Sequence, residues 1–202
     1  MTPDIVCLAK ALGGGVPCGA IGGSHFVMAA IEEGRYNQVG TFNANPLTMA
    51  AAKATLTEVL TDEAYANANE LGAYLLDNCL DVLRDYKQPA YGYQAGFKMS
   101  VVMNKDGLPV SNYREFLAID TASSHLHFLK QFNGGVFLPP WGKSETLTLS
   151  VAHTRKHADQ YIENLISFMK TVVMLKERRS LNPLYAAGSF DMHDPEPVAA
   201  AI

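Results

Sequence analysis

Pro3-Asp4-Ile5-Val6-Cys7-Leu8-Ala9-Lys10-Ala11-Leu12-Gly13-Gly14-Gly15-Val16-Pro17-Cys18-Gly19-Ala20-Ile21-Gly22-Gly23 delivers one lysine, at the end of an apolar run, to the edge of a glycine cluster. Ile5 to Ala9 predicts a short buried strand, and the glycines beyond it let the backbone bend tightly and leave room for a planar ligand. Two glycine-rich alternatives fail on spacing. A P-loop places its lysine after the glycines, whereas Lys10 precedes them, and Gly13-x-Gly15-x-x-Cys18 lacks the third glycine of a dinucleotide fingerprint. What remains is a lysine whose amine, once desolvated, forms a Schiff base.

Working outward, Ala20-Ile21 predicts a second short strand, and Ser24 a hydroxyl cap for a helix through Glu32 that Gly34 ends. Arg35 to Asn45 has too few periodic apolar residues for regular structure and reads as a functional loop, with Gly40-Thr41 suited to holding an anion. Asn45 as cap and Pro46 at the first helical position open the next helix. Thr61-Asp62-Glu63 marks a further helix start and the expected domain boundary. That helix runs to Tyr86, with Leu71, Leu75, Cys79, Val82 and Leu83 on its apolar face. Phe97 to Met103 predicts a strand and Asn104 to Gly107 a turn. A single helix is expected from Asn112 to Phe132, stopped by Gly134-Gly135, then strands over Gly135–Leu138 and Thr146–Val151 around a Pro-Pro-Trp-Gly loop. Thr154 caps a last helix bearing Tyr161, Leu165, Phe168 and Val172 at three- and four-residue steps.

The chain of 202 residues has a net charge of -4, which provides no basic face for nucleic acid. Ile162 to Leu175 comes nearest to a membrane span, but Glu163, Asn164 and Lys170 interrupt it well short of the roughly eighteen apolar residues such a span needs. Cys7, Cys18 and Cys79 lack metal-ligand spacing, and the N-terminus lacks a signal-peptide pattern, so a reducing cytoplasm is expected. His153 and His157 stand four apart without the glutamate of a zinc-protease helix, and His125 and His127 would face different sides of one helix, so no metal is expected.

The order Pro-Asp-Ile to Gly22-Gly23, followed by Gly40-Thr41-Phe42-Asn43-Ala44-Asn45-Pro46-Leu47-x-Met49-Ala50-Ala51, resembles the class III pyridoxal-phosphate aminotransferases, nearest in motif to their glutamate-1-semialdehyde aminomutase branch. Gly135 to Pro140 and Ser150 to Thr154 extend the similarity. The resemblance implies an α/β fold corresponding to the C-terminal half of a fold-type I pyridoxal-phosphate-dependent transferase. On that reading, 1–60 end the large cofactor-binding domain, 61–179 form a small C-terminal α+β domain, and 180–202 are a flexible tail.

The resemblance further implies pyridoxal 5'-phosphate as cofactor and an aminotransferase or aminomutase acting on a small-molecule amino donor and acceptor. Lys10 would be its internal aldimine lysine. Gly40 and Thr41 would hold the cofactor phosphate of the neighbouring subunit across a homodimer. The family's aspartate for the pyridine nitrogen, its ring-stacking aromatic and one phosphate loop have no counterpart in the matching stretch. The rival reading is therefore a non-catalytic fragment, with the isolated chain inactive. A nucleotide-binding module is disfavoured by the glycine spacings already given.

Overall fold

Apolar residues recurring every three or four positions account for the two longest helices, and those helices hold the best-formed part of the core. The computed structural model describes residues 2–119, 121–138 and 146–181. Its backbone contacts divide into two units, Met1–Glu70 with Leu149–His153, and Leu71–Thr148 with Thr154–Ile202. The division thus falls nine residues beyond Thr61, inside a helix.

In the first unit β1 (Ile5–Leu8) pairs antiparallel with β2 (Ala20–Gly23), in the register Ile5 to Gly23 and Leu8 to Ala20. The expectation of a buried strand is corrected here: all four residues of each strand are exposed, with Ile5 at 52% and Leu8 at 51%. A sheet of two strands, one of them half glycine, offers too little side-chain surface to bury its partner. Between the strands lies a 3-10 turn, Lys10–Gly13. Helix α1 (His25–Glu32) follows Ser24, whose hydroxyl makes no capping bond, contrary to expectation. Instead Ser24 is held through its backbone: its N–H donates to the Asp4 carbonyl, and its own carbonyl accepts from Val27 and Met28.

Helix α2 (Pro46–Ala54) starts as the sequence predicts. The Asn45 side chain accepts from the N–H groups of Leu47 and Thr48, and Pro46 occupies the first turn, where a missing N–H costs nothing. A π-helical turn, Thr55–Val59, continues it. Helix α3 (Asp62–Asp85) is entered through Thr61, whose hydroxyl accepts from the Ala64 N–H.

In the second unit the buried residues of α3 are Gly72, Leu75, Leu76, Cys79 and Leu83, while Asp77, Asp81, Arg84 and Asp85 face solvent. β3 (Ala90–Ala95), β4 (Lys98–Met103) and β5 (Leu147–Thr148) form an antiparallel sheet in that order. β3 is absent from the sequence reading because Pro89 and Gly92 look like turn punctuation. Gly92 is small because Leu76 and Leu80 of α3 occupy the space a side chain would fill.

The helix expected over 112–132 is two: α4 (Tyr113–Leu117), then α5 (Thr121–Asn133), with Ile119 turned into the core between them. The following run, Thr121 to Ser124, includes three Ser or Thr residues, which favour helix starts over helix interiors. α5 ends in a Schellman turn: Gly135 takes φ 80°, and the Val136 N–H reaches the Gln131 carbonyl at 2.9 Å. That turn replaces the strand expected over Gly135–Leu138. The strand expected over Thr146–Val151 shrinks to β5, because Ser150 to His153 form a turn of their own.

α6 (Arg155–Leu181) buries Ala158, Tyr161, Ile162, Leu165, Phe168 and Met169, one continuous helical stripe, and packs on α5. Each such large apolar side chain contributes roughly 1.5–3 kcal/mol when fully buried. The Pro-Pro-Trp-Gly loop and the tail beyond Leu181 lie outside the described residues. No described helix is long and apolar enough to cross a membrane.

Candidate functional site

β1 ends at Leu8, and Lys10 opens the 3-10 turn with φ +57°, a left-handed conformation that costs a non-glycine residue about 1–2 kcal/mol. Strain of this kind is a pointer to function, since it persists only where the surroundings impose it. Lys10 is exposed, and among the described residues its amine makes no hydrogen bond or ion pair. The desolvation that would activate the amine is therefore not supplied by those residues.

The glycines after it do separate things. Gly13 is buried, and a Cβ there would come within 2.9 Å of the Cys18 Cβ, so its hydrogen permits a close chain crossing. Gly14 has φ +59° and donates its N–H to the Ala11 carbonyl at 3.0 Å, closing the turn. Gly15, at φ +104°, has nothing within 4 Å of where its Cβ would be. Of these glycines only Gly15, five residues beyond Lys10, leaves open space at its backbone, the one observation of fit to a planar aldehyde cofactor.

Gly40 and Thr41 stand in an irregular stretch that tightens into a turn before α2. The Asn43 N–H donates to the Gly40 carbonyl at 3.0 Å, and that of Asn45 to the Phe42 carbonyl at 3.2 Å. Thr41 is exposed, and among the described residues its hydroxyl and the N–H groups of residues 40 and 41 have no hydrogen-bond partner. The Lys10–Gly13 turn packs on α2. Among the described residues no hydrogen bond or ion pair joins Lys10 to Gly40 or Thr41.

The histidines have other work. The Ser150 N–H donates to His153 Nδ1 at 3.0 Å, and the Thr154 N–H donates to His157 Nδ1 at 3.0 Å. Each imidazole accepts at Nδ1 and fastens a local turn. No group of three or more His, Cys, Asp or Glu suited to a metal forms among the described residues.

His127 sits edge-on to Tyr161, with ring centroids 5.7 Å apart, and 5.2 Å from Phe168. Gln131 is fully buried; its Nε2 donates to the Tyr161 carbonyl at 3.0 Å, and its Oε1 accepts from Asn164 at 3.1 Å. Those two bonds fix the amide orientation, so Gln131 Nε2 also donates to His127 Nε2 at 3.1 Å, and His127 keeps its proton on Nδ1. Burial lowers the His127 pKa to about 4 and raises that of Cys79 to about 12. The spacing of four between His127 and Gln131 was the available signal for this pair.

Tyr74 donates to Asp159 Oδ1 at 2.7 Å beneath the Arg155 guanidinium, and the Asp159 carboxylate raises the phenol above its usual value. These polar groups tie elements of the second unit together.

A family model described as aminotransferase class-III matches residues 1–168. Glutamate-1-semialdehyde 2,1-aminomutase 1 of Staphylococcus carnosus (strain TM300) is 37% identical over 162 residues, which is 80% of this chain and 37% of that protein. Among solved structures, a β-phenylalanine aminotransferase from Variovorax paradoxus aligns with TM-score 0.75 and 28% identity, over 85% of this chain and 39% of its own. An omega-transaminase from Sphaerobacter thermophilus aligns with TM-score 0.69 and 26% identity, over 84% and 39%. The chain spans about two fifths of the length of the curated relatives it matches, 37% and 40% for two of them.

Proposed function

Because this chain belongs to the class-III aminotransferase family, we propose that it carries the lysine-bearing part of a pyridoxal-phosphate enzyme that transfers an amino group between small molecules or within one. The observation that carries this reading is the placement of Lys10. Its amine has no hydrogen-bond or ion-pair partner among the described residues, it stands in a strained turn, and Gly15 in the same glycine cluster leaves open space at its backbone. Pyridoxal phosphate, when bound, supplies an electron sink for the amino-bearing carbon of the substrate.

Lys10 would hold the cofactor covalently through its amine. The same amine would take the proton from the amino-bearing carbon and return it, the task of a general base that is then a general acid. Gly40 and Thr41 would donate N–H and hydroxyl hydrogen bonds to the cofactor phosphate. In the homodimer that the family resemblance implies, each copy's loop would serve the other copy's lysine. The exposure of Lys10 means that the dry surroundings its chemistry needs come from beyond the described residues of one chain.

The reading is tested by adding amino donors to the protein isolated from its native host and following the absorption of bound cofactor. A donor-dependent change that is lost in Lys10→Ala is expected. A donor-dependent change of equal size in Lys10→Ala would refute the assignment.

A further inference from the structure

Most large apolar side chains of the first unit are exposed, Phe26 at 89% and Phe42 at 85% among them. Yet Gly13, Ala52 and Thr55 are buried, and the turn that begins with Lys10 packs on α2 and the π-helical turn. The tightest packing near the lysine therefore lies under the turn that carries it. Within it, a Cβ on Gly14 would come within 2.5 Å of Thr55 Oγ1 and 3.8 Å of Thr55 Cβ.

Thr55 is itself held from both sides. Its N–H donates to the carbonyls of Ala51 and Ala52, and its carbonyl accepts from the Leu60 N–H at 2.9 Å, the bond that makes this turn π-helical. Short π-helical insertions occur often at functional sites. Here the insertion sets one side chain against the backbone of a left-handed glycine. That glycine closes the turn whose first residue, Lys10, is also left-handed.

We propose that Thr55 is a positioning residue for Lys10: its side chain, packed against the Gly14 backbone, braces the Lys10–Gly13 turn and sets the direction in which Lys10 presents its amine. The proposal rests on the role given to Lys10 above. It requires no contact between Thr55 and any ligand. The hydroxyl is the bracing atom, so serine serves in its place and alanine does not. The brace also explains why position 14 excludes a side chain: alanine there meets strain from φ +59° and a collision with Thr55 Oγ1.

The test uses the whole chain in four variants, Thr55→Ser, Thr55→Ala, Gly14→Ala and the double variant Gly14→Ala/Thr55→Ala. Two readouts are taken: amide hydrogen exchange across residues 10–16 without ligand, and borohydride-trapped labelling of Lys10 by pyridoxal phosphate. Thr55→Ser should match the parent. Thr55→Ala should raise exchange across 10–16 several-fold and lower Lys10 labelling by about three- to tenfold, with the melting temperature of the second unit unmoved. Gly14→Ala should lose more than tenfold in labelling.

The double variant should label at least threefold better than Gly14→Ala alone, because Cβ to Cβ at 3.8 Å is ordinary contact. Multiplying losses in the double variant, or unchanged exchange and labelling in Thr55→Ala, would overturn the brace. If the parent labels Lys10 no better than its other lysines, the proposed function fails, and exchange across 10–16 alone then decides on Thr55.

Discussion

Acid should weaken the second unit through His127, and the size of the effect follows from its surroundings. The ring lies against Tyr161 and Phe168, and its Nε2 accepts from Gln131. Protonation would set a charged N–H against the Gln131 amide N–H and bury the charge. With a pKa of about 4 when folded and 6.5 as the ordinary value, folding opposes protonation. The neutral form is the folded one, so its stability is complete above pH 6.5 and is lost as pH falls toward 4. Over that window the unfolded chain binds the proton and the folded chain does not.

The slope is about 1.4 kcal/mol per pH unit, and the total about 2–3 kcal/mol once the residue's partial accessibility is counted. The assay is amide hydrogen exchange of α5 and α6 at pH 7, 5.5 and 4.5, corrected for intrinsic rates, in the parent and in His127→Phe. Phenylalanine keeps a ring in place and removes the titration. The parent should lose stability over this range by about 1.5–2 kcal/mol more than the variant does. Parallel pH profiles for the two proteins, or a His127 ring that titrates near 6.5, would refute the reasoning.

Thr41→Val removes the hydroxyl and nearly keeps the shape, and should weaken pyridoxal phosphate affinity in the native-host protein by about 0.5–3 kcal/mol; unchanged affinity would remove the loop from the phosphate site. Gly134→Ala would drive a methyl into the Asn164 side chain, which donates to both Gln131 Oε1 and the Gly134 carbonyl and so has no free direction in which to move. Urea unfolding should show a loss of about 1–3 kcal/mol, and a change within about 0.5 kcal/mol would show that the network yields.

The long helices could be read from the sequence because their signal is periodic and local. α3 and α6 each bury one stripe, and the residues expected on those stripes are buried or partly buried, Leu71, Val82 and Val172 being the partly buried ones. The start of α2 was equally legible, since Asn45 and Pro46 act within a few residues of each other. β3 was hidden because Gly92 answers to Leu76 and Leu80, which lie in another element. The break between α4 and α5 was hidden because burying Ile119 outweighs local helix preference.

At the candidate site, Lys10 and its glycines announced themselves as a motif. Their strain did not, since a left-handed lysine looks like any other in the sequence. Thr55 carried no signal at all: one threonine after an alanine-rich helix gains meaning only when folding sets it against Gly14, forty-one residues away. Gln131 and Asn164, thirty-three residues apart, were invisible for the same reason.

The most direct test of the central claim is to reduce the native-host protein with borohydride while pyridoxal phosphate is bound, and then to map the modified peptide by mass spectrometry. The account predicts a single major adduct on Lys10, absent in Lys10→Ala. A major adduct on any other lysine, with Lys10 unmodified, would contradict it.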